Sequence, residues 1–229
     1  MLESSRPLVQ VIDARKSYAL GHRSVEALRG VSLEMPGSGF AVLQGPSGSG
    51  KTTLLNLIGC IDQPTSGKVL VAGCDVASLA DDLQSQFRSK KLGFIFQNFN
   101  LIPVLTAVEN IEYPLLLQRV GKNEARERAL AMMGAVGLAG ADDQRPGELS
   151  GGQCQRVAIG RALVANPELV IADEPTANLD AATGRAIIAL MHRMRDRTGT
   201  TFVISTHDPA IAAMAELRFT LRDGTLVSA

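Results

Sequence analysis

The stretch "FAVLQGPSGSGKTTLLNLIGCI", Phe40 to Ile61, decides the fold. Phe40–Gln44 form a short apolar run, which predicts a buried strand. From Lys51 onward apolar residues recur at helical spacing. Between them, Gly45 to Thr52 match G-x-x-x-x-G-K-[ST]. Strand, glycine-rich turn and helix together are the context that gives this motif its chemistry. Gly45, Gly48 and Gly50 let the backbone wrap an oxyanion without Cβ clashes. The N–H groups of Pro46-flanking residues, Ser47 and Ser49 make a nest for phosphate oxygens. The helix start adds its free N–H groups and its dipole, with Thr53 in the first turn. Lys51 is expected to reach the β- and γ-phosphates, and Thr52 to offer its hydroxyl to Mg²⁺.

Working outward, the chain of 229 residues suits one large domain, or one domain with an inserted lobe. Hydrophobic residues make up 45% and charged residues 20%, which predicts a folded chain. Lys plus Arg equals Asp plus Glu at 23 each, so charge gives no case for nucleic acid as a partner. An anion bound here is bound by local geometry. Cys60, Cys74 and Cys154 lack CxxC spacing and read as reduced thiols. The N-terminus lacks the pattern of a secretory signal. The most apolar candidate for a membrane span, "LIPVLTAVENIEYPLLL", is interrupted by Glu109, Asn110, Glu112 and two prolines.

Strands are predicted at "LVQVIDA" and, after a polar turn around Gly21, at "VEALRGVSLEM". "GKVLVAG", "KLGFIFQ", "ELVIADE" and "TTFVIST" read as further strands. "SLADDLQSQFRSK" is helix-compatible. From residue 98 to about 165 the pattern is helical, with "TAVENIEYPLLLQ" and "NEARERALAMMGAVGL", and no strand run interrupts it. This predicts a helical lobe, residues 98–165, inserted into an α/β core of residues 1–97 and 166–229. In "GRAIIALMHRMRDR", Ile187, Leu190, Met191 and Met194 fall on one face, expected to be core. Asp223-Gly224 in "RDGTL" marks a tight hairpin.

A second phosphate-facing helix start lies about a hundred residues after the first. "LSGGQCQRVAIGRAL", Leu149 to Leu163, opens an apolar-periodic helix with Ser150, Gly151, Gly152 and Gln153. "LVIADE" is an apolar strand ending in two acids. Asp173 is expected to complete the Mg²⁺ site with Thr52, and Glu174 to accept a proton from attacking water. Gln97, ending "GFIFQ", is a further candidate Mg²⁺ ligand and a group to position that water. His207 follows a core strand beside the expected phosphate loop, a place for a γ-phosphate contact. His22 and His192 read as surface residues. Tyr18, in an expected loop ahead of the core, is a candidate platform for adenine stacking.

"GPSGSGKTT", "FQNFN", "LSGGQ", "LVIADEPTANLD" and "ISTHD" resemble, in order and spacing over nearly the whole chain, the ATP-binding-cassette ATPases. The resemblance implies an α/β P-loop NTPase (RecA-like) core with an N-terminal antiparallel β subdomain and an inserted helical subdomain. It implies a head-to-tail homodimer, in which ATP on one subunit's phosphate loop is capped by the other's signature helix. Ser150, Gly151 and Gly152 would face that γ-phosphate in trans, and Asp180 would cross the same interface. It also implies a membrane permease partner, received at Gln97 and the helical lobe, and a place on the cytoplasmic face of the inner membrane.

"GCIDQPTSG" and "GFIFQNFNLIPVLTAVENIEYPLLL" are similar to the subfamily of macrolide-exporter and lipoprotein-releasing ATPases. Those serve permeases with a large extracytoplasmic domain. A related alternative is a mechanotransmission ATPase that drives an extracytoplasmic partner without moving solute. The chain departs from the family at Cys154, Gly160 and Ala177. Gly160 is expected to cost about 1 kcal/mol of helix propensity relative to alanine.

Overall fold

The computed structural model describes residues 7–21 and 23–228. They fall into two compact units, one within Met1–Gln86 and Thr201–Ala229, the other Phe87–Thr200.

The first unit opens with β1 (Val9–Leu20) and β2 (Arg23–Met35), an antiparallel hairpin turning at Gly21. β3 (Phe40–Gln44) leads into α1 (Lys51–Ile58). β4 (Ser66–Val71) and β5 (Cys74–Asp75) complete an antiparallel sheet of order β2-β1-β4-β5. α2 (Asp81–Lys91) then carries the chain into the second unit. β1 runs well beyond the expected seven residues. Its far end pairs with β2 through three register shifts, and its polar stretch Arg15–Ser17 is tolerated because an antiparallel sheet needs only one covered face. Tyr18 therefore lies in a strand, opposite Val25, and not in a loop. α1 stops earlier than expected, because the chain turns at Gly59 and Cys60 takes a positive φ of 54°.

The second unit holds β6 (Leu92–Ile95), α3 (Ala107–Leu117), α4 (Lys122–Ala135), α5 (Gly151–Leu163), β7 (Leu169–Asp173) and α6 (Ala181–Thr198). β6 and β7 pair in parallel. Thr106 and Glu109 form a capping box at the start of α3. No strand lies between residues 98 and 165. On α6, Ile187, Leu190, Met191 and Met194 are all buried, so the helical periodicity reads the core correctly. His192, expected at the surface, is half-buried on the same helix. His22 lies outside the described residues.

The chain returns to the first unit with β8 (Thr201–Thr206), α7 (Pro209–Ala212), β9 (Leu217–Arg222) and β10 (Thr225–Ser228). β3 is flanked in parallel by β8 and β9, and β9 closes on β10 through Asp223 and Gly224, both at positive φ. Phe40 and Phe202 stack in the buried centre of this sheet, with ring centroids 5.8 Å apart.

Candidate active site

In the first unit, β3 ends at Gln44 and the chain wraps into a tight turn before α1. Gly50 caps that helix at φ 104° without a side-chain cap, and a Cβ there would stand 2.8 Å from the Ala27 carbonyl oxygen. A side chain is excluded both by conformation and by space. The N–H groups at the helix start are thus left to a ligand. Lys51 is 6% exposed and arches back over the turn, its Nζ donating to the carbonyls of Gly45 (2.9 Å) and Pro46 (3.1 Å). Ser49 Oγ is buried in the same turn without a hydrogen-bond partner among the described residues. A buried hydroxyl left unpaired costs about 1–3 kcal/mol. A cradle of backbone N–H groups, one ammonium and one unpaired hydroxyl fits a phosphate group.

β3 and β8 pair with Gln44 opposite Thr206. Gly45 and His207 therefore leave the carboxyl ends of adjacent parallel strands, where ligands of such sheets bind. His207 is exposed. The chain beyond it is pinned by Asp208, whose N–H donates to Thr206 Oγ1 (3.0 Å) and whose carboxylate caps α7 through Ala210 (2.8 Å).

Tyr18 stands 37% exposed on β1. Its hydroxyl donates to Asp62 Oδ2 at 2.8 Å. The other oxygen of Asp62 accepts from Lys16 Nζ at 2.5 Å, and that ammonium sits 5.0 Å from the centre of the Tyr18 ring. Burial and the bond to Asp62 push the Tyr18 phenol up. Burial alone would raise Asp62 too, but the bonds from Lys16, Tyr18 and the Gln63 N–H hold it below the ordinary carboxylate value.

In the second unit, Ile95 pairs opposite Ala172, so the segments carrying Gln97 and Asp173 leave the same end of the β6–β7 pair. Asp173 is the last residue of β7, and Glu174 turns away at φ 47°. Gln97 lies two residues past Ile95, in a turn and not at a strand end. The strand stops because Phe99 bonds back to the Phe96 carbonyl (3.1 Å), and Phe99 and Asn100 both take positive φ. Two residues unmarked by sequence reasoning hold this turn. Asn178 Nδ2 donates to the Gln97 carbonyl and to Asn98 Oδ1, each at 3.0 Å. Arg161 donates to the carbonyls of Phe99 (2.7 Å) and Asn100 (2.5 Å).

Ser150 caps α5 in a reciprocal box. Its Oγ accepts from the Gln153 N–H, and Gln153 Oε1 accepts from the Ser150 N–H. Those two N–H groups are used within the cap, while the N–H groups of Gly151 and Gly152 are not. A Cβ on Gly152 would stand 2.8 Å from Thr183 Cγ2 of α6. Asp180 is the N-cap of α6, accepting from the N–H groups of Ala182 and Thr183 and from the Thr183 hydroxyl. Those bonds, the hydroxyl first, hold its carboxyl low.

Two of the departures have local reasons, and nothing in the structure explains Ala177. Cys154 Sγ lies 3.5 Å from the Pro146 carbonyl, and burial pushes its thiol up. Gly160 is where α5 meets α3 and α4, since a Cβ would fall 2.7 Å from Ile111 Cδ1. Its propensity cost is offset by this close approach. None of the three cysteines forms a disulfide. Among the described residues no three His, Cys, Asp or Glu cluster as a metal site, and no helix is long and apolar enough to cross a membrane. Mg²⁺ held largely by a ligand's phosphates needs few protein groups.

Residues 28–177 match the family model described as "ABC transporter". The chain is 46% identical, over 96% of its length, to a macrolide export ATP-binding/permease protein MacB of Syntrophobacter fumaroxidans, but spans 31% of that relative. It is 43% identical to an uncharacterized ABC transporter ATP-binding protein of Thermotoga maritima, covering 96% of this chain and 94% of that one. A dimeric, post-hydrolysis structure of the ATP-binding cassette MJ0796 with ADP and Pi superposes with a TM-score of 0.88 at 41% identity. That match covers 96% of this chain and 97% of the other.

Proposed function

Since the chain belongs to the ABC transporter family, as an ATPase cassette within it, we propose that it powers a bacterial membrane permease with a large extracytoplasmic domain, in export, lipoprotein release or mechanotransmission. It does so as a head-to-tail homodimer on the cytoplasmic face of the inner membrane. The observation that carries this reading is the pair of open helix starts, Gly50–Lys51 and Ser150–Gly151, one in each compact unit. One cradle for phosphate needs no second; a dimer in which each subunit caps the other's ATP uses both. The likeness to a dimeric cassette and to MacB proteins supports the choice.

In this reading the turn Gly45–Thr53 holds the triphosphate, and Lys51 is drawn from its carbonyls onto the phosphate oxygens. Tyr18 stacks on the base. Glu174 takes the proton from attacking water, Gln97 positions that water, and His207 contacts the γ-phosphate. Thr52, Gln97 and Asp173 would hold Mg²⁺, which neutralises charge on the phosphate oxygens. Ser150, Gly151, Gly152, Gln153 and Asp180 act toward the other subunit's nucleotide. Residues 98–165 form the helical subdomain that meets the permease.

The test is Ser150→Arg in a Glu174→Gln background. Glu174→Gln with ATP is expected to elute as a dimer. The double mutant should stay monomeric with unchanged monomer affinity for ATP. A folded double mutant that lost monomer affinity would put the signature helix on its own subunit's nucleotide and overturn the reading.

A further inference from the structure

The base platform assigned to Tyr18 carries more structure than a bare exposed ring needs. Tyr18, Lys16 and Asp62 come from β1 and from the turn after α1, 44 and 46 residues apart in sequence. A tyrosine half out of a strand has two free faces and a swinging χ1. Here the hydroxyl is tethered and one of the two faces is covered. Asp62 accepts from the phenol, and Thr53, on the helix that follows the phosphate turn, hydrogen-bonds the same hydroxyl. Lys16 is held in turn by Asp62 and by the Gln63 carbonyl (2.7 Å), which keeps its ammonium over one face of the ring. Lys16 is itself well covered, with a side-chain exposure of 13%.

We propose that Asp62 is a positioning residue for nucleotide recognition: by fixing the Tyr18 hydroxyl and the Lys16 ammonium, it presents one face of the ring to a purine base. This rests on the reading of Tyr18 as the base platform. The consequence is mechanical. Stacking is worth having only if the ring does not lose much freedom when the base arrives. A ring held beforehand binds the base at lower entropic cost, and with Lys16 on one side the base has a single side to take. The hydrogen bonds of Asp62 go to Lys16, Tyr18, Gln63 and Asn56, none of them in the turn Gly45–Thr53, so its contribution is specific to ligands that carry a base.

The experiment compares ATP, ADP and inorganic tripolyphosphate by calorimetry on the full chain, with Tyr18→Ala, Tyr18→Phe, Asp62→Ala and Asp62→Asn. Tyr18→Ala should weaken ATP about five-fold or more. Asp62→Ala should weaken ATP and ADP about three- to ten-fold, with tripolyphosphate unchanged. Asp62→Asn, which keeps an acceptor for the phenol, should recover part of the loss. Tyr18→Phe removes one hydroxyl and disturbs little else. It should weaken ATP by an amount that does not add to Asp62→Ala. Equal losses for ATP and tripolyphosphate would make Asp62 a support of the phosphate turn and overturn the inference. So would a full effect of Tyr18→Ala with none from Asp62→Ala. If Tyr18→Ala itself leaves ATP binding unchanged, the platform reading fails first.

Discussion

The side-chain amide of Asn178 donates to the backbone carbonyl of Gln97 at 3.0 Å. Asn178 follows Glu174 by four residues, on the turn that ends at the Asp180 cap of α6. One amide therefore ties the segment bearing the proposed base to the segment bearing the proposed water-positioning glutamine. Both depart from the same end of the β6–β7 pair, and the bond fixes how far apart they lie.

Lys51→Ala is expected to weaken ATP binding at least about ten-fold, because it removes a charge-assisted contact to phosphate. Calorimetric titration with ATP reads this directly, and turnover should fall with it.

Glu174→Gln should leave ATP affinity intact and slow turnover by ~10²–10⁴-fold, the ordinary worth of a general base. Asp173→Asn should instead raise the Mg²⁺ concentration needed for half-maximal turnover. Parallel ATP and Mg²⁺ titrations of the two variants separate the roles.

Gly160→Ala sets two effects against each other. Helix propensity would stabilise by about 1 kcal/mol. The new methyl would meet Ile111 Cδ1 at 2.7 Å and Met132 Cγ at 3.2 Å, and overpacking of this kind costs about 1–3 kcal/mol. Packing should win, so urea denaturation is expected to report a less stable variant.

Asp180→Ala should lower stability through loss of the α6 cap, read as an earlier urea midpoint. Asp180→Ser keeps a capping oxygen and should recover most of that stability. If Asp180 also works across a dimer interface, the serine variant will remain slow in turnover while melting close to wild type.

Acid should release the Lys16–Asp62 pair. The folded-state pKa of Asp62 is lower than its unfolded one, so the pair's contribution is present above the unfolded value and is lost as pH falls through the folded value. The stability gap between wild type and Asp62→Asn should hold steady from pH 7 to pH 5 and narrow below the ordinary carboxylate range. Urea midpoints measured along that series give the sign.

Much of this was legible in sequence because the phosphate turn, the acid-ended strand and the signature helix are local patterns. Each needs only its own ten or so residues, and β3, β7 and the buried face of α6 fall where periodicity puts them. What escaped is non-local. Nothing around Asp62 marks it as the acceptor for a tyrosine 44 residues earlier, since the strand that carries Tyr18 is itself longer than its apolar pattern. Gly160 reads as a weak helix residue until α3 and α4 are laid against it. Arg161 and Asn178 look like ordinary polar residues, because their acceptors are backbone carbonyls that exist as targets only once the turn after Phe96 has formed.

Arg161 is half-buried, and burial lowers its pKa. It spends that position on two carbonyls of a turn whose residues, Phe99 and Asn100, both sit at positive φ. Backbone in that region is held at a cost of about 1–3 kcal/mol per residue when the surroundings enforce it. The guanidinium is planar and forked, so it grips both carbonyls in one orientation. α5 and the turn after β6 are thereby joined through one forked side chain. Any shift of α5 would be felt at the Gln97 segment through that fork, as a crank turns a rod.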